Sequence, residues 1–145
     1  MSLDHLFSAA SFLAMVGWLA LLASPFTPKW PNRIAAWIVP SLIAVVYTAL
    51  MLVHFSGADG DFSSLDGVAR LFASRPVLLA GWLHYLAFDL ALGAWEVRDA
   101  SRRKVSFWWV LPCLPATFLF GPAGFLMYLL VRTLVPRRQP AMAAA

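Results

Sequence analysis

Four long apolar segments dominate this sequence and limit what it can fold into. They lie at about 6–23, 34–55, 77–97 and 105–131. Each is close to or longer than the ~20 residues that an α-helix needs to cross ~30 Å of hydrocarbon. Charged residues make up only 12% of the chain, about half of what soluble domains carry. Because so few charges cannot cover a water-facing surface, the bilayer is the expected solvent.

The segment pattern predicts an all-α fold, a four-transmembrane-helix bundle that forms a single integral membrane domain over residues 1–134. Residues 135–145 are expected to be a disordered tail. Between the second and third spans, the apolar spacing within 56–76 predicts a short amphipathic helix at the membrane interface. Three prolines in the fourth segment predict a kink or an opened turn there. The start of the chain lacks a basic n-region, so the first segment is expected to remain as a span.

The basic residues give little information about orientation if all four segments cross. Six would then lie on one side and five on the other: Lys29, Arg33, Arg98, Arg102, Arg103 and Lys104 against Arg70, Arg75, Arg132, Arg137 and Arg138. The two short loops are the denser clusters and are predicted to be cytoplasmic, in a bacterial inner membrane. The net charge of +4 suits anionic lipid headgroups. No basic stripe alternates with aromatic residues, so nucleic acid is not an expected partner.

The third apolar segment carries titratable side chains in a region where buried charge is costly. At 100° per residue, Asp89, Glu96 and Asp99 fall within about 40° of Tyr85, whereas His84 lies about 100° away. An ionised carboxylate at the depth of Asp89 costs several kcal/mol unless it is paired, protonated or in a wet cavity. This face should therefore point into the bundle.

Structural roles explain much of this polar face. Glu96 and Asp99 lie near Arg98, Arg102 and Arg103 in sequence and could form interfacial ion pairs. Asp89 could be a protonated acid that hydrogen-bonds a neighbouring helix. His84 is as compatible with a structural role as with a functional one. An ionisable residue inside a membrane is nevertheless a candidate for a functional site.

Other segments offer polar partners for this face. The second segment contributes Tyr47 and His54, and the fourth contributes Thr117, Tyr128 and Arg132. Metal chemistry is poorly supported, because the chain has three histidines, one cysteine and no Glu-x-x-His pair. We therefore predict no metal and no cofactor.

Two strings carry a resemblance to a known family. "LAGWLHYLAFDLALGAWEVRDA" and "LPCLPATFLFGPAGFLMYLLVR" resemble the abscisic-acid-deficient-four-like family, over about residues 30–132. The most specific parts are "HYLAFDL" (84–90), "RDA" (98–100) and "TFLFGPAGFLMY" (117–128). Plant members of that family are needed for making neoxanthin from violaxanthin in plastids. The resemblance implies a membrane protein of carotenoid or isoprenoid metabolism with a lipophilic small molecule as its partner.

The reaction that the resemblance implies is an isomerisation of an epoxide into an allenic alcohol, which needs no redox cofactor. An acid must protonate the epoxide oxygen, and a base must remove a proton from the neighbouring polyene carbon. We predict Asp89 as the acid and His84 as the base, with Tyr85 and Arg98 orienting them. The angle between His84 and Asp89 around the helix also allows only one of them to act. Glu96, Asp99, Tyr47, His54, Thr117, Tyr128 and Arg132 complete the predicted binding site.

Two other functions fit the same features. One is a non-catalytic carotenoid- or lipid-binding membrane scaffold. The other is a small proton-coupled transporter that works as a homodimer of two orientations, for which an even distribution of basic residues is expected. Transporters usually show paired halves, and no internal repeat is present in this sequence.

Overall fold

The structure is a computed structural model that describes residues 2–26 and 33–135, and the regular elements within these ranges are helical. Three helical stretches there are long and apolar enough to cross a membrane: Leu3–Leu22, Ile34–Gly57 and Arg75–Arg102. The first is α1 and the third is α4. The middle stretch consists of a π-helical turn, Ile34–Ile38, then α2, Val39–His54, and a 3₁₀ turn, Phe55–Gly57. These helices are compatible with an integral membrane protein.

Local sequence explains where these helices begin. The Ser2 side chain accepts a hydrogen bond from the His5 amide and caps α1, as N-cap residues do. Pro76 stands in the first turn of α4, where its missing amide costs no helical hydrogen bond. Pro40 stands in the first turn of α2, inside the continuous stretch Ile34–Gly57, where it removes one backbone donor. The π-helical turn directly precedes α2 and its Pro40.

Side-chain pairs fix the direction of the three long helices. The α1 residues Asp4 and Ser11 bond Arg75 and Trp82 at 2.8 and 3.1 Å, so α1 and α4 run in the same direction. In the middle stretch, Trp37 of the π-helical turn faces Arg98, and Tyr47 of α2 faces His84. Residues earlier in this stretch contact later residues of α4, so the stretch runs antiparallel to α4.

The short helix predicted between the second and third segments is α3, Leu65–Ala73. Ser64 caps it by accepting a hydrogen bond from the Gly67 amide at 3.0 Å. Leu71 is buried while Leu65 is 84% exposed. This two-sided character agrees with the predicted amphipathic helix.

The fourth apolar segment does not form one long helix, so a four-helix membrane bundle is not confirmed. It divides into α5, Phe107–Val110, α6, Cys113–Phe120, and α7, Pro122–Leu134. Gly121 separates the last two helices and has φ +36°, a backbone conformation that residues other than glycine rarely adopt. A Cβ on Gly124 would overlap the backbone nitrogen of Thr117. Helices α6 and α7 therefore fold back on each other as a hairpin.

Both ends of this hairpin lie at the same end of α4. The Gly121 turn lies beside Asp89, near the midpoint of α4, whereas Arg132, near the end of α7, bonds Asp99. Asp89 and Asp99 are ten residues apart, or about 15 Å along a helix. The hairpin thus extends about half the length of a ~30 Å hydrocarbon core and returns.

This geometry changes how the basic residues are distributed. Among the described residues, Arg70 and Arg75 lie at the end where α4 begins. The end where α4 finishes, called the basic end below, gathers Arg33, Arg98, Arg102, Arg103, Lys104 and Arg132. The even division expected for four spans placed Arg132 on the other side and is wrong for that residue. The tail 136–145 and Lys29 lie outside the described residues.

The core follows α4, which packs between the other helices. Gly93 lets the Trp18 indole of α1 approach, because a Cβ there would lie 2.7 Å from that ring. Large apolar side chains on the outer faces stay exposed, such as Phe12 at 72% and Leu52 at 80%. Such a surface suits lipid rather than water.

Candidate functional site

The contact between α4 and the hairpin gathers most of the polar side chains that the sequence singles out. We call this contact the hairpin seam, and its members come from both elements: Tyr85, Asp89, Glu96 and Asp99 of α4, and Thr117, Gly121, Tyr128 and Arg132 of the hairpin. The helical projection placed the four α4 residues on one inward face. The structure agrees, since each of them contacts the hairpin.

Asp89 lies at the tip of the hairpin. A Cβ built on Gly121 would be 2.7 Å from its Oδ1 atom, so a side chain at position 121 would occupy the place of the carboxyl group. The Asp89 Oδ2 atom is buried and has no hydrogen-bond partner among the described residues. Residue Asp89 as a whole remains partly exposed. The tip therefore holds a buried carboxyl oxygen whose hydrogen-bonding capacity the described residues do not use.

Glu96 lies two helical turns further along α4 and is completely buried, at 0% exposure. Its Oε1 atom accepts a hydrogen bond from the Thr117 hydroxyl at 2.9 Å, whereas Oε2 has no partner in the described part of the chain. The ion pair with a nearby arginine that its sequence position suggested does not form, because Glu96 faces Thr117 instead. An ionised carboxylate without a counter-ion is costly in such a place.

Asp99 closes the seam at the basic end. Its Oδ2 atom accepts hydrogen bonds from the Tyr128 hydroxyl and from Arg132 Nε, both at 2.8 Å. Arg103 Nε lies 3.2 Å from the same oxygen. The predicted interfacial ion pair is thus present at Asp99, and it includes Arg132 from the hairpin as well as Arg103 from the following turn.

Tyr85 connects the seam to an apolar groove. Its hydroxyl donates a hydrogen bond of 2.5 Å to the Phe118 backbone carbonyl, which lies in the last turn of α6 and lacks a helical partner of its own. The same side chain lines a groove of about 460 Å³ between α1, α3 and α4, together with Phe7, Phe72 and Trp82. A lipophilic molecule in this groove would therefore reach the turn of α4 that precedes Asp89.

The structure does not bring every predicted site residue to the seam. His84 is exposed, and its ring stacks on Phe88 at 4.4 Å between centroids and faces Tyr47 at 5.7 Å. His54 is exposed at the end of α2. Arg98 lies over the Trp37 ring at 5.8 Å. His84 and Asp89 are thus on different faces of α4, as the angle between them predicted.

Metal ligation finds no support in the ranges described. Within 2–26 and 33–135, no three histidine, cysteine, aspartate or glutamate side chains converge in a way that could hold an ion. The one cysteine, Cys113, is buried and its thiol faces the Trp109 carbonyl.

Sequence reasoning missed the part that the backbone plays at this site. The three prolines of the fourth segment predicted a kink or an opened turn, whereas the structure reverses the chain through Gly121 and Gly124. The role of the Phe118 carbonyl as acceptor for Tyr85 could not be predicted either, because a backbone group leaves no mark in the sequence. The string "FGPAG" at 120–124 was the available cue, because it places a helix-starting proline between two small residues.

Comparison with known proteins gives a family. A search of curated proteins and a search of solved structures each found no match. The family model described as ABA DEFICIENT 4-like matches residues 5–128, which covers most of α1, all of α2 to α4 and most of the hairpin. The strings that carry the resemblance meet one another in the hairpin seam, since "HYLAFDL", "RDA" and "TFLFGPAGFLMY" supply Asp89, Asp99 and Gly121. The chain belongs to the ABA DEFICIENT 4-like family.

Proposed function

We propose that this protein is a cofactor-independent isomerase of the membrane that opens an epoxide on a carotenoid or related isoprenoid by acid and base catalysis. Family membership supports a role in carotenoid or isoprenoid chemistry. The observation that carries the catalytic part is Asp89 Oδ2, a buried carboxyl oxygen without a partner in the described residues. It lies at the turn of the hairpin, where the helix is broken.

The chemistry requires a proton donor and a proton acceptor close to each other. In its neutral form, the Asp89 carboxyl would give its proton to the epoxide oxygen while the carbon–oxygen bond breaks, which leaves a cation stabilised by the polyene. The carboxylate so formed would then take the proton from the neighbouring carbon, which yields the allene and restores the neutral acid. Atoms and charge balance, and one residue serves both steps. This proposal gives His84 no role in proton transfer.

The apolar surroundings of the seam suit a long hydrophobic substrate. The groove between α1, α3 and α4 leads to Tyr85. A second groove of about 470 Å³ lies between α1 and the start of the hairpin and is lined by Trp18 and Phe118. Phe118 lies three residues before Gly121, and its carbonyl accepts the Tyr85 hydroxyl, so both grooves reach residues close to the hairpin turn. A rod-like molecule with its end ring near Asp89 would fit this arrangement.

The test is turnover of an added epoxy-carotenoid by membranes that contain the protein. We expect Asp89→Asn to lower turnover at least about 100-fold, the usual size of a general acid–base contribution. His84→Ala is the matched control, since it removes a titratable group from the same helix but outside the seam. It should retain most of the activity. Equal losses in both variants would contradict the assignment to Asp89.

Purified protein distinguishes the isomerase from a non-catalytic binding scaffold. Protein purified in mild detergent should carry a pigment that is visible by absorption and identifiable by mass. If the wild-type chain binds the epoxy-carotenoid and never forms product, the protein is a binding scaffold and the isomerase proposal fails. Proton-driven solute flux with chains in both orientations would instead support the transporter.

A further inference from the structure

A third cavity, of about 470 Å³, opens at the basic end, where the end of α1, the start of the second helical stretch and the end of α4 converge. Three arginines line it together with two serines and a tryptophan: Arg33, Arg98, Arg102, Ser24, Ser101 and Trp37. We call it the arginine cavity. It lies on the faces of α4 next to the seam and shares no residue with the seam.

The arginine cavity contains positive charge that no acidic side chain of its lining neutralises. All seven acidic side chains of the chain lie in the described ranges, and none of them lines the cavity. The ion pairs formed in those ranges use Arg75, Arg103 and Arg132. Arg98 and Arg102 stand four residues apart on α4, a spacing at which like charges repel. An anion between them would relieve that repulsion.

We propose that the arginine cavity binds a phosphate group. Guanidinium groups recognise phosphate oxygens through paired hydrogen bonds, and the serine hydroxyls add further donors. The cavity lies at the ends of three candidate spans, which is the depth of lipid headgroups, and basic pockets between membrane helices on such a face bind anionic lipids. Trp37, which is 68% exposed, provides an apolar flank suited to a lipid chain. The phosphate could belong to an anionic lipid or to a soluble phosphate ester.

The experiment titrates the full chain in neutral detergent with three probes, and native mass spectrometry follows binding. The probes are phosphatidylglycerol, zwitterionic phosphatidylcholine, and inorganic phosphate at constant ionic strength. We expect the wild type to prefer phosphatidylglycerol over phosphatidylcholine about tenfold. Arg98→Gln/Arg102→Gln should reduce this preference to about twofold or less. The control Arg70→Gln/Lys104→Gln removes the same charge from residues outside the cavity and should keep most of the preference.

The outcomes separate the source of the phosphate. Binding of phosphatidylglycerol alone, lost in the arginine variant, assigns a lipid headgroup, and binding of inorganic phosphate that is lost in the same variant assigns a soluble ester. An arginine variant that behaves as the wild type, or a control that loses as much, overturns the proposal. If the arginine variant fails to fold, a photoreactive phosphatidylglycerol on the wild type replaces it. Labels near Trp37 or Ser101 then support the site, and labels only elsewhere refute it.

Discussion

The carboxyl groups at the two ends of the hairpin seam differ in how many hydrogen-bond donors they receive. At the basic end, one oxygen of Asp99 receives a tyrosine hydroxyl and two arginines. At the tip and along the middle, Asp89 and Glu96 each keep a buried oxygen without a partner among the described residues. Helix α4 packs against the hairpin at both places. The carboxyl groups therefore differ because the hairpin and the following turn provide donors near Asp99 that are absent from the described residues around Asp89 Oδ2 and Glu96 Oε2.

This contrast separates anchoring from chemistry. A carboxylate whose oxygen receives a hydroxyl and two guanidinium groups from neighbouring elements holds those elements together. A buried carboxyl with an unused oxygen costs free energy in the resting protein, and functional sites are where such costs occur. We therefore assign Asp99 to holding the hairpin in place and Asp89 to the proposed reaction.

The largest expected effect is an all-or-none difference in cysteine labelling. It tests whether the fourth apolar segment returns to the basic end as a hairpin or crosses the membrane. In a Cys113→Ala background, single cysteines are placed at the exposed positions Ser56, Ser101 and Thr133. We expect Ser101→Cys and Thr133→Cys to react with a membrane-impermeant maleimide from the same side, and Ser56→Cys from the other. The six-to-two distribution of basic residues further predicts that the shared side is cytoplasmic.

A crossing fourth span would give a different labelling pattern. Thr133→Cys would then react together with Ser56→Cys and not with Ser101→Cys. That result would remove the hairpin and with it the contrast between the two carboxyl groups.

The next largest effect concerns the close approach inside the hairpin. Gly124→Ala adds a methyl group where the Thr117 backbone already lies, and backbone cannot move as cheaply as a side chain. We expect a loss of about 3 kcal/mol in the free energy of unfolding, measured in mixed detergent micelles. Gly57→Ala is the matched control, because a Cβ there meets nothing within 4 Å. Comparable losses in both variants would show that the approach to Thr117 is not what stabilises the hairpin.

The sequence predicted the inward face of α4 because a long regular helix obeys a fixed angle per residue. Tyr85, Asp89, Glu96 and Asp99 follow from that angle alone. The hairpin could not be predicted in the same way, since an apolar run of 105–131 looks alike whether it crosses the bilayer or returns. The reversal depends on the backbone of Gly121 and on the contact of Gly124 with α6, which are tertiary features.

A smaller and reciprocal effect is expected when the two aspartates are compared directly. Asp99→Asn removes the negative charge that two arginines and Tyr128 share, and we expect it to cost about 2 kcal/mol of unfolding free energy. Asp89→Asn should change stability little, because its Oδ2 atom has no donor to lose in the described ranges. Turnover should show the reverse order, with the folded fraction of Asp99→Asn still active. Unfolding curves and activity measured on the same samples decide between these patterns, and a stable but inactive Asp99→Asn would contradict the division of roles.

The smallest expected effect is at Glu96, where one oxygen is bonded and the other is not. Thr117→Val keeps the shape of the side chain but removes the hydroxyl that donates to Glu96 Oε1 at 2.9 Å, so we expect a loss of about 1 kcal/mol. Thr48→Val is the matched control, since that hydroxyl bonds only the Ala44 carbonyl on an exposed face of α2. A double-mutant cycle with Glu96→Gln isolates the pairwise contribution. A coupling energy near zero would mean that Glu96 is buried without help from Thr117, and the middle of the seam would then resemble the tip rather than the anchored end.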